Sequence, residues 1–195
     1  MIYVFLADGF EECEAVAPID ILRRADLEVI TVKTGDNNYN INNNINNIVG
    51  GSHRIKVTTD IHESEIDLSS VSNLEMIVLP GGGYGVENLY KSEIVKKIID
   101  YCINRDVPIG AICAAPSILA RLGYLNGVRA TAYPSFRHYL MENGAVLEEN
   151  KKVVTDGIFT TAAAAGVSIE FGFELVRVLK GDETAKKIGE QILFY

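Results

Sequence analysis

The segment from Val107 to Ala120, Val-Pro-Ile-Gly-Ala-Ile-Cys-Ala-Ala-Pro-Ser-Ile-Leu-Ala, does most to restrict what this chain can become. An apolar run rich in Ile and small residues leads to Cys113, after which Ala, Ser, Ile and Leu take up helix-compatible spacing. A strand of that composition is buried on both faces, which is the habit of a parallel sheet covered by helices on two sides. Cys113 sits where strand turns into helix, at the carboxyl end of a parallel strand, where open α/β sheets place their ligand crevices. The amides opening the next helix point toward that corner and favour a thiolate, so the sequence leads us to expect an acidic cysteine there. The plainer reading is a core cysteine, since free Cys is among the most often buried residues. Gly110, Ala111, Ala114 and Ala115 weigh against it, because they leave room for a tight turn and for something to approach the sulfur.

The rest of the chain supports an α/β domain. Ile2 to Ala7 reads as a first buried strand, Glu14 to Arg24 as an amphipathic helix that tolerates Pro18 only near its first turn, and Leu27 to Val32 as a second strand. Short connections make this a right-handed parallel β-α-β unit. Residues 36–52 are dense in Asn and end in Gly50-Gly51, a surface loop or a protruding hairpin carried on Ile41, Ile45 and Ile48. Ile55 to Thr59 resumes as strand, His62 to Leu68 is a short connection, and Glu75 to Leu79 is a fourth strand, followed by a glycine loop, Pro-Gly-Gly-Gly-Tyr-Gly. Beyond it we expect a helix over Ser92 to Asn104, a strand over Val128 to Ala132 and a helix over Ser135 to Asn143 capped by Ser135. A hairpin around Asp156-Gly157 and helices over Ser168 to Leu179, stopped by Gly181, and Glu183 to Leu193 complete the pattern. The 195 residues, 48% hydrophobic, suffice for one domain spanning 1–195.

Charge and cysteines narrow the function. A net charge of -8 lacks the basic stripe that phosphate recognition needs, which argues against nucleic acid. No apolar run is long enough to cross a bilayer and Met1 leads directly into a strand, so we expect no membrane association and a cytoplasmic location. Cys13, Cys102 and Cys113 are odd in number and form no CxxC pair, so neither a disulfide framework nor a zinc site is indicated. His53, His62 and His138 show no paired ligand spacing, so we expect no metal.

The glycine loop after Leu79 fails the nucleotide fingerprint, since the sixth position from Gly81 is Val86. Its amides suit a different role. Beside the Cys113 strand they can point at an oxygen held next to the sulfur, as an oxyanion hole requires. Glu11, Glu12 and Glu14 open the first helix, where acidic residues are common for dipole reasons alone. Glu14 is best placed to bring a carboxyl beside Cys113, and burial there raises its proton affinity so that it can shuttle a proton. His138 is the one histidine near enough in the pattern for a Cys-His pair, although a surface or packing role explains it as well.

Three ordered motifs then carry a resemblance: A-D-G-F-E-E-C-E-A-V-A-P-I-D-I-L-R-R-A at 7–25, I-V-L-P-G-G-G-Y-G-V-E-N-L at 77–89, and A-I-C-A-A-P at 111–116 with T-A-Y-P-S-F near 131–136. Together they resemble the ThiJ/PfpI superfamily, in its parkinsonism-associated deglycase branch. The resemblance implies a flavodoxin-like three-layer sandwich with a mostly parallel central sheet, of the class I glutamine amidotransferase-like kind, and a homodimer. It implies Cys113 as nucleophile in a strained elbow, Glu14 as its partner carboxyl, and the Gly82 and Ala114 amides as an oxyanion hole, with no cofactor. It also implies a sulfur that oxidises readily to sulfinic acid. The chain departs from that pattern in its Asn-rich loop at about 36–52, an insertion, and at three further places. Tyr133 stands where many relatives carry histidine, leaving Tyr133 or His138 to support the site; Ala114 replaces the histidine of the peptidase-like branch; and Ala162 to Gly166 replaces a Gly-Pro-Gly-rich segment.

Two functional classes follow. The first is cofactor-independent detoxification or repair of reactive 2-oxoaldehydes, glyoxalase-like or deglycase-like, with small aldehydes or glycated side chains as partners. The second is a redox-responsive stress or chaperone-like protein in which Cys113 senses oxidation. An amide hydrolase is a weaker third, because no base beside the sulfur is evident.

Overall fold

The computed structural model of the chain describes residues 1–35, 47–67 and 71–194. β1 (Ile2–Ala7), α1 (Glu12–Arg24) and β2 (Val29–Thr34) make the opening parallel unit. β3 (Ile48–Gly50) and β4 (Lys56–Thr58) pair antiparallel outside the main sheet, and β5 (Ile61–His62) joins its edge. Next come β6 (Met76–Leu79), α2 (Gly83–Lys91), α3 (Glu93–Asn104), β7 (Ile109–Ile112) and α4 (Pro116–Arg121). A short excursion follows through β8 (Arg129–Ala130), α5 (Arg137–Glu142) and β9 (Val146–Leu147), with β8 and β9 paired to each other. The hairpin β10 (Val153–Asp156) and β11 (Phe159–Ala162), then α6 (Ser168–Lys180) and α7 (Asp182–Gln191), complete the chain.

Among the described residues the main sheet has the order β10-β11-β7-β6-β1-β2-β5, parallel throughout except where β10 meets β11. Successive side chains of a strand point to opposite faces, and β1 shows what that achieves. Tyr3, Phe5 and Ala7 pack with Ile77, Leu79 and Ile109 under α2, α3 and α4, while Ile2, Val4 and Leu6 pack with Met76 and Val78 under α1 and α6. Apolar residues on both faces require a helical layer on each side, and the result is the flavodoxin-like three-layer sandwich. Strand order reverses between β1 and β6. Ligand crevices open outside the carboxyl ends of strands at such a reversal, and the loops leaving β1, β6 and β7 meet there.

Four expectations need correction. The strand expected at 55–59 is present as β4, but it pairs with β3 outside the main sheet; the hairpin is therefore made by 48–58 and not within 36–52, and of the residues expected to carry one it holds Ile48, whereas Ile41 and Ile45 belong to 36–46, outside the described residues. The expected pattern has no helix between the glycine loop and Ser92, yet α2 starts within that loop at Gly83 and runs to Lys91. Its buried positions, Val86 and Leu89, lie three apart as a helix requires, but Gly, Tyr and Asn around them have weak helix propensity and hide the period. Ser135 does not cap α5: it lies inside a 3-10 turn, Pro134–Phe136, and the helix begins behind Phe136 with no side-chain cap. α1 begins at Glu12, two residues earlier than expected, which moves Pro18 into the second turn, where it can offer no N–H to the helix.

Candidate active site

Cys113 is the corner between β7 and α4. Its N–H donates to the Ala162 carbonyl of β11 (2.8 Å) and its carbonyl accepts from Tyr133 N–H (2.9 Å), so neighbouring segments fix the peptides on both sides. One residue on, the Ala114 carbonyl accepts from the Ser117 hydroxyl (2.7 Å) and the Ser117 N–H (3.1 Å). Held this way, Cys113 adopts φ 64°, the left-handed region that costs a residue with a β-carbon on the order of 1–2 kcal/mol. The partly buried Cys113 packs against the core on the α1–α6 side of the sheet and meets the Gly82 amide of the loop after β6.

Glu14 meets it from the first turn of α1. The side chain is 1% exposed, and its Oε2 accepts from Gly81 N–H (2.9 Å). Gly81 has to be glycine: a β-carbon there would stand 2.3 Å from Glu14 Oε2 and 2.8 Å from the Cys113 β-carbon. The second oxygen, Oε1, is buried with no hydrogen bond of full geometry, although the Cys113 thiol and the Ala165 N–H both interact with the carboxyl. Burial pushes the Glu14 carboxyl up to about 7; the charge of Glu11 adds to the rise, and the contacts from Cys113, Gly81 and Ala165 oppose it. Glu11 in turn caps the helix, its Oε2 accepting from Glu14 N–H (2.9 Å).

The N–H groups of Ala114 and Gly82 both lie against the sulfur. Gly82 adopts φ 91° and touches the β1–α1 loop, where a β-carbon would come to 2.3 Å from the Gly9 carbonyl oxygen. This close approach presents its amide to the crevice at the start of α2. The expected acidity of Cys113 is not found in this state. Burial pushes its thiol up, the adjacent Glu14 carboxylate pushes it further, and the two amides only offset part of the rise. The amides belong to a four-group cluster in which a second acid competes for the same proton. With one proton held between Glu14 and Cys113, moving it from sulfur to carboxylate leaves the pair's charge unchanged.

Of the supporting candidates, Tyr133 touches the site through its backbone, with its side chain 44% exposed. His138 lies on α5 with its ring stacked on Tyr139, centroids 4.1 Å apart. Among the described residues neither side chain hydrogen-bonds the sulfur. A contact that spacing does not reveal links His53 to α1. Glu12 Oε1 accepts from the N–H of His53 (2.7 Å) and of Ile55 (3.3 Å), while Oε2 meets the Ser52 hydroxyl (3.2 Å) and His53 Nδ1 (3.0 Å). Burial raises the Glu12 carboxyl, but these bonds outweigh it and hold it below the ordinary range. Glu11, Glu12 and His53 each offer an atom within 4.8 Å of the others. The His53 and Ile55 N–H groups and the Ser52 hydroxyl already occupy the Glu12 oxygens, so the cluster serves as a latch tying the β3–β4 hairpin to the start of α1.

Known proteins are similar to this chain over most of its length. The DJ-1 homolog B of Arabidopsis thaliana is 32% identical over 193 residues, 98% of this chain and 41% of that protein, so the chain spans less than half of that relative's length. A glutathione-independent glyoxalase DJ-1 of Schizosaccharomyces pombe is 26% identical over 176 residues, covering 89% of this chain and 87% of that protein. A deglycase of Pyrococcus abyssi is 26% identical over 181 residues, covering 92% and 99%. Among solved structures, oxidised DJ-1 of Toxoplasma gondii superposes with a TM-score of 0.84 at 31% identity, covering 98% of this chain and 97% of that one. The DJ-1/PfpI family model itself matches residues 1–178. On that match the chain belongs to the DJ-1/PfpI family.

Proposed function

We propose that this protein converts reactive 2-oxoaldehydes to 2-hydroxy acids without a cofactor, and that it acts by the same chemistry on glycated side chains. The observation that carries the reading is the meeting of Cys113, the buried carboxyl of Glu14 and the N–H groups of Gly82 and Ala114 at one corner. In the first step the Cys113 proton passes to Glu14 as sulfur adds to the aldehyde carbon, and the Gly82 and Ala114 amides hold the oxygen that gains charge. Glu14 gives that proton to the oxyanion, which completes the hemithioacetal. Now ionised, it takes the proton of the former aldehyde carbon and delivers it to the neighbouring carbonyl carbon, while the hydroxyl proton passes to the carbonyl oxygen, and the product is a thioester of the 2-hydroxy acid. Water cleaves the thioester, returning the thiol and releasing the acid. A carboxyl with an affinity midpoint of about 7 suits both directions of transfer at neutral pH. Relatives named as a glyoxalase and a deglycase support the substrate class.

A redox-sensing role is the second reading, supported by the solved relative described as oxidised. One comparison separates the two. Purified protein and Cys113→Ser are given methylglyoxal, and the first reading expects turnover by the wild type with loss of at least about a hundredfold in the variant. Equal turnover overturns it; addition of two oxygens to Cys113 ahead of Cys13 and Cys102 under mild peroxide then favours the sensor. We further propose that residues 1–195 form one domain, most of which the family model spans, and that it acts as a cytoplasmic homodimer. Fractionation of cells expressing the tagged chain checks the location.

A further inference from the structure

Two segments flank Cys113, and one aromatic ring joins them. On one side the loop after β6 comes so close that a β-carbon at Gly81 would stand 2.8 Å from that of Cys113, and α2 begins two residues later at Gly83. On the other, Tyr133 N–H is bonded to the Cys113 carbonyl and leads into the 3-10 turn Pro134–Phe136. Phe136 ends that turn, and its ring reaches the start of α2: a β-carbon at Gly83 would meet the Phe136 ζ-carbon at 3.7 Å, an ordinary contact distance. Among the described residues, chain neighbours and the backbone of α2 apart, nothing else comes within 4 Å of that point. The ring therefore closes this side of the crevice by itself.

Its support is stiff. Phe136 N–H donates to the Tyr133 carbonyl (2.8 Å), and the Arg137 guanidinium holds the carbonyls of Ala132 (3.1 Å) and Glu149 (2.9 Å) behind the turn. The ring lies beside Tyr139, centroids 6.3 Å apart. Tyr139 faces Arg121 at the end of α4, whose guanidinium carbon is 3.5 Å from the Tyr90 ring centroid and which pairs with Glu87 (2.6 Å), both on α2. α5 is thus tied to α2 at both ends, through Phe136 and Gly83 at one and through Arg121 at the other. Tyr84 and Tyr133, 71% and 44% exposed, can turn aside into solvent; the half-buried Phe136 cannot.

We propose that Phe136 is a specificity-determining residue, whose ring walls the crevice between the 133–136 turn and the start of α2 and limits a 2-oxoaldehyde to a hydrogen or small alkyl group on its second carbonyl carbon. The inference rests on the 2-oxoaldehyde reading and adds which members of the class enter: glyoxal and methylglyoxal ahead of phenylglyoxal. A wall excludes by size only if its neighbours do not give, and here both ends of the ring are anchored.

Turnover and access to the sulfur test the wall separately. For the full-length protein and Phe136→Ala, kcat/KM is measured on methylglyoxal and phenylglyoxal; the variant should raise the phenylglyoxal value relative to the other by at least about tenfold, chiefly through KM. Iodoacetamide and its N-phenyl derivative alkylate thiols by the same displacement of iodide, and mass spectrometry of the Cys113 peptide gives both rates without turnover. Their ratio, aromatic over small, should rise about tenfold in Phe136→Ala, while the ratio at exposed Cys13 stays fixed. An unchanged ratio at Cys113 overturns the assignment, and so does a falling one, the mark of a surface that stacks on aromatic substrates. Should circular dichroism show that Phe136→Ala does not fold, Phe136→Leu, shorter and still apolar, carries the same test with the same sign. No turnover of either aldehyde by any form would sink the proposed activity and leave the alkylation ratio to decide on the wall.

Discussion

At the scale of single residues the site is governed by one buried acid. Glu14 is ordinary in sequence, the third acidic residue in four, and unusual in place: 1% exposed, beside a sulfur, with its affinity midpoint moved from 4.5 to about 7. Folding raises the affinity, so between these two values the folded chain holds more protons than the unfolded one. The stability tied to Glu14 is therefore full below pH 4.5 and falls away as the pH rises to about 7, a change of about 3 kcal/mol. Glu14→Gln carries no such charge. Urea denaturation across that range should show the variant gaining on the wild type by about 3 kcal/mol as the pH rises, while parallel curves would mean that the carboxyl is solvated or balanced in a way the geometry does not show. Cys113 and Glu14 are legible in the sequence because each closes a strand-helix boundary at the carboxyl side of the sheet. The sulfur's acidity is not, since the helix amides can be inferred locally but the opposing carboxylate and the burial are products of the assembled fold.

Elements differ in how openly the sequence announces them. β1, β6 and β7 are apolar on both faces and their positions follow from composition alone. α2 is concealed by glycines whose purpose is close approach to the β1–α1 loop, a demand that only tertiary contact makes visible. The β3–β4 hairpin can be read as a protrusion, but its anchorage cannot, because Glu12 and His53 are 41 positions apart. That anchorage is testable at the level of the hairpin. Glu12→Gln replaces one of two accepting oxygens by a donor facing other donors, a cost of about 1–3 kcal/mol. Hydrogen exchange should quicken across residues 48–58 while the amides of β1 and β6 keep their protection. Uniform quickening would show that the latch supports the whole sheet, and none at all that the hairpin holds by other means. The depressed proton affinity of Glu12 gives the latch a sign in pH as well: its contribution is present above pH 4.5 and is lost as the carboxyl protonates below that value.

For the molecule as a whole, the acidic balance bears on self-association. Two copies at -8 each repel at low ionic strength, so a homodimer should tighten as salt screens them, with sedimentation equilibrium moving toward twice 21.4 kDa. A mass that stays at one chain under all salt conditions would exclude the dimer. The fold that produces the site also sets itself against it. Position 113 lies at φ 64°, a conformation glycine adopts without penalty and cysteine does not. A directed-evolution campaign that ranked variants on melting temperature alone would therefore be drawn to discard the thiol early, and the most heat-resistant descendants of this chain would be those that no longer carry it.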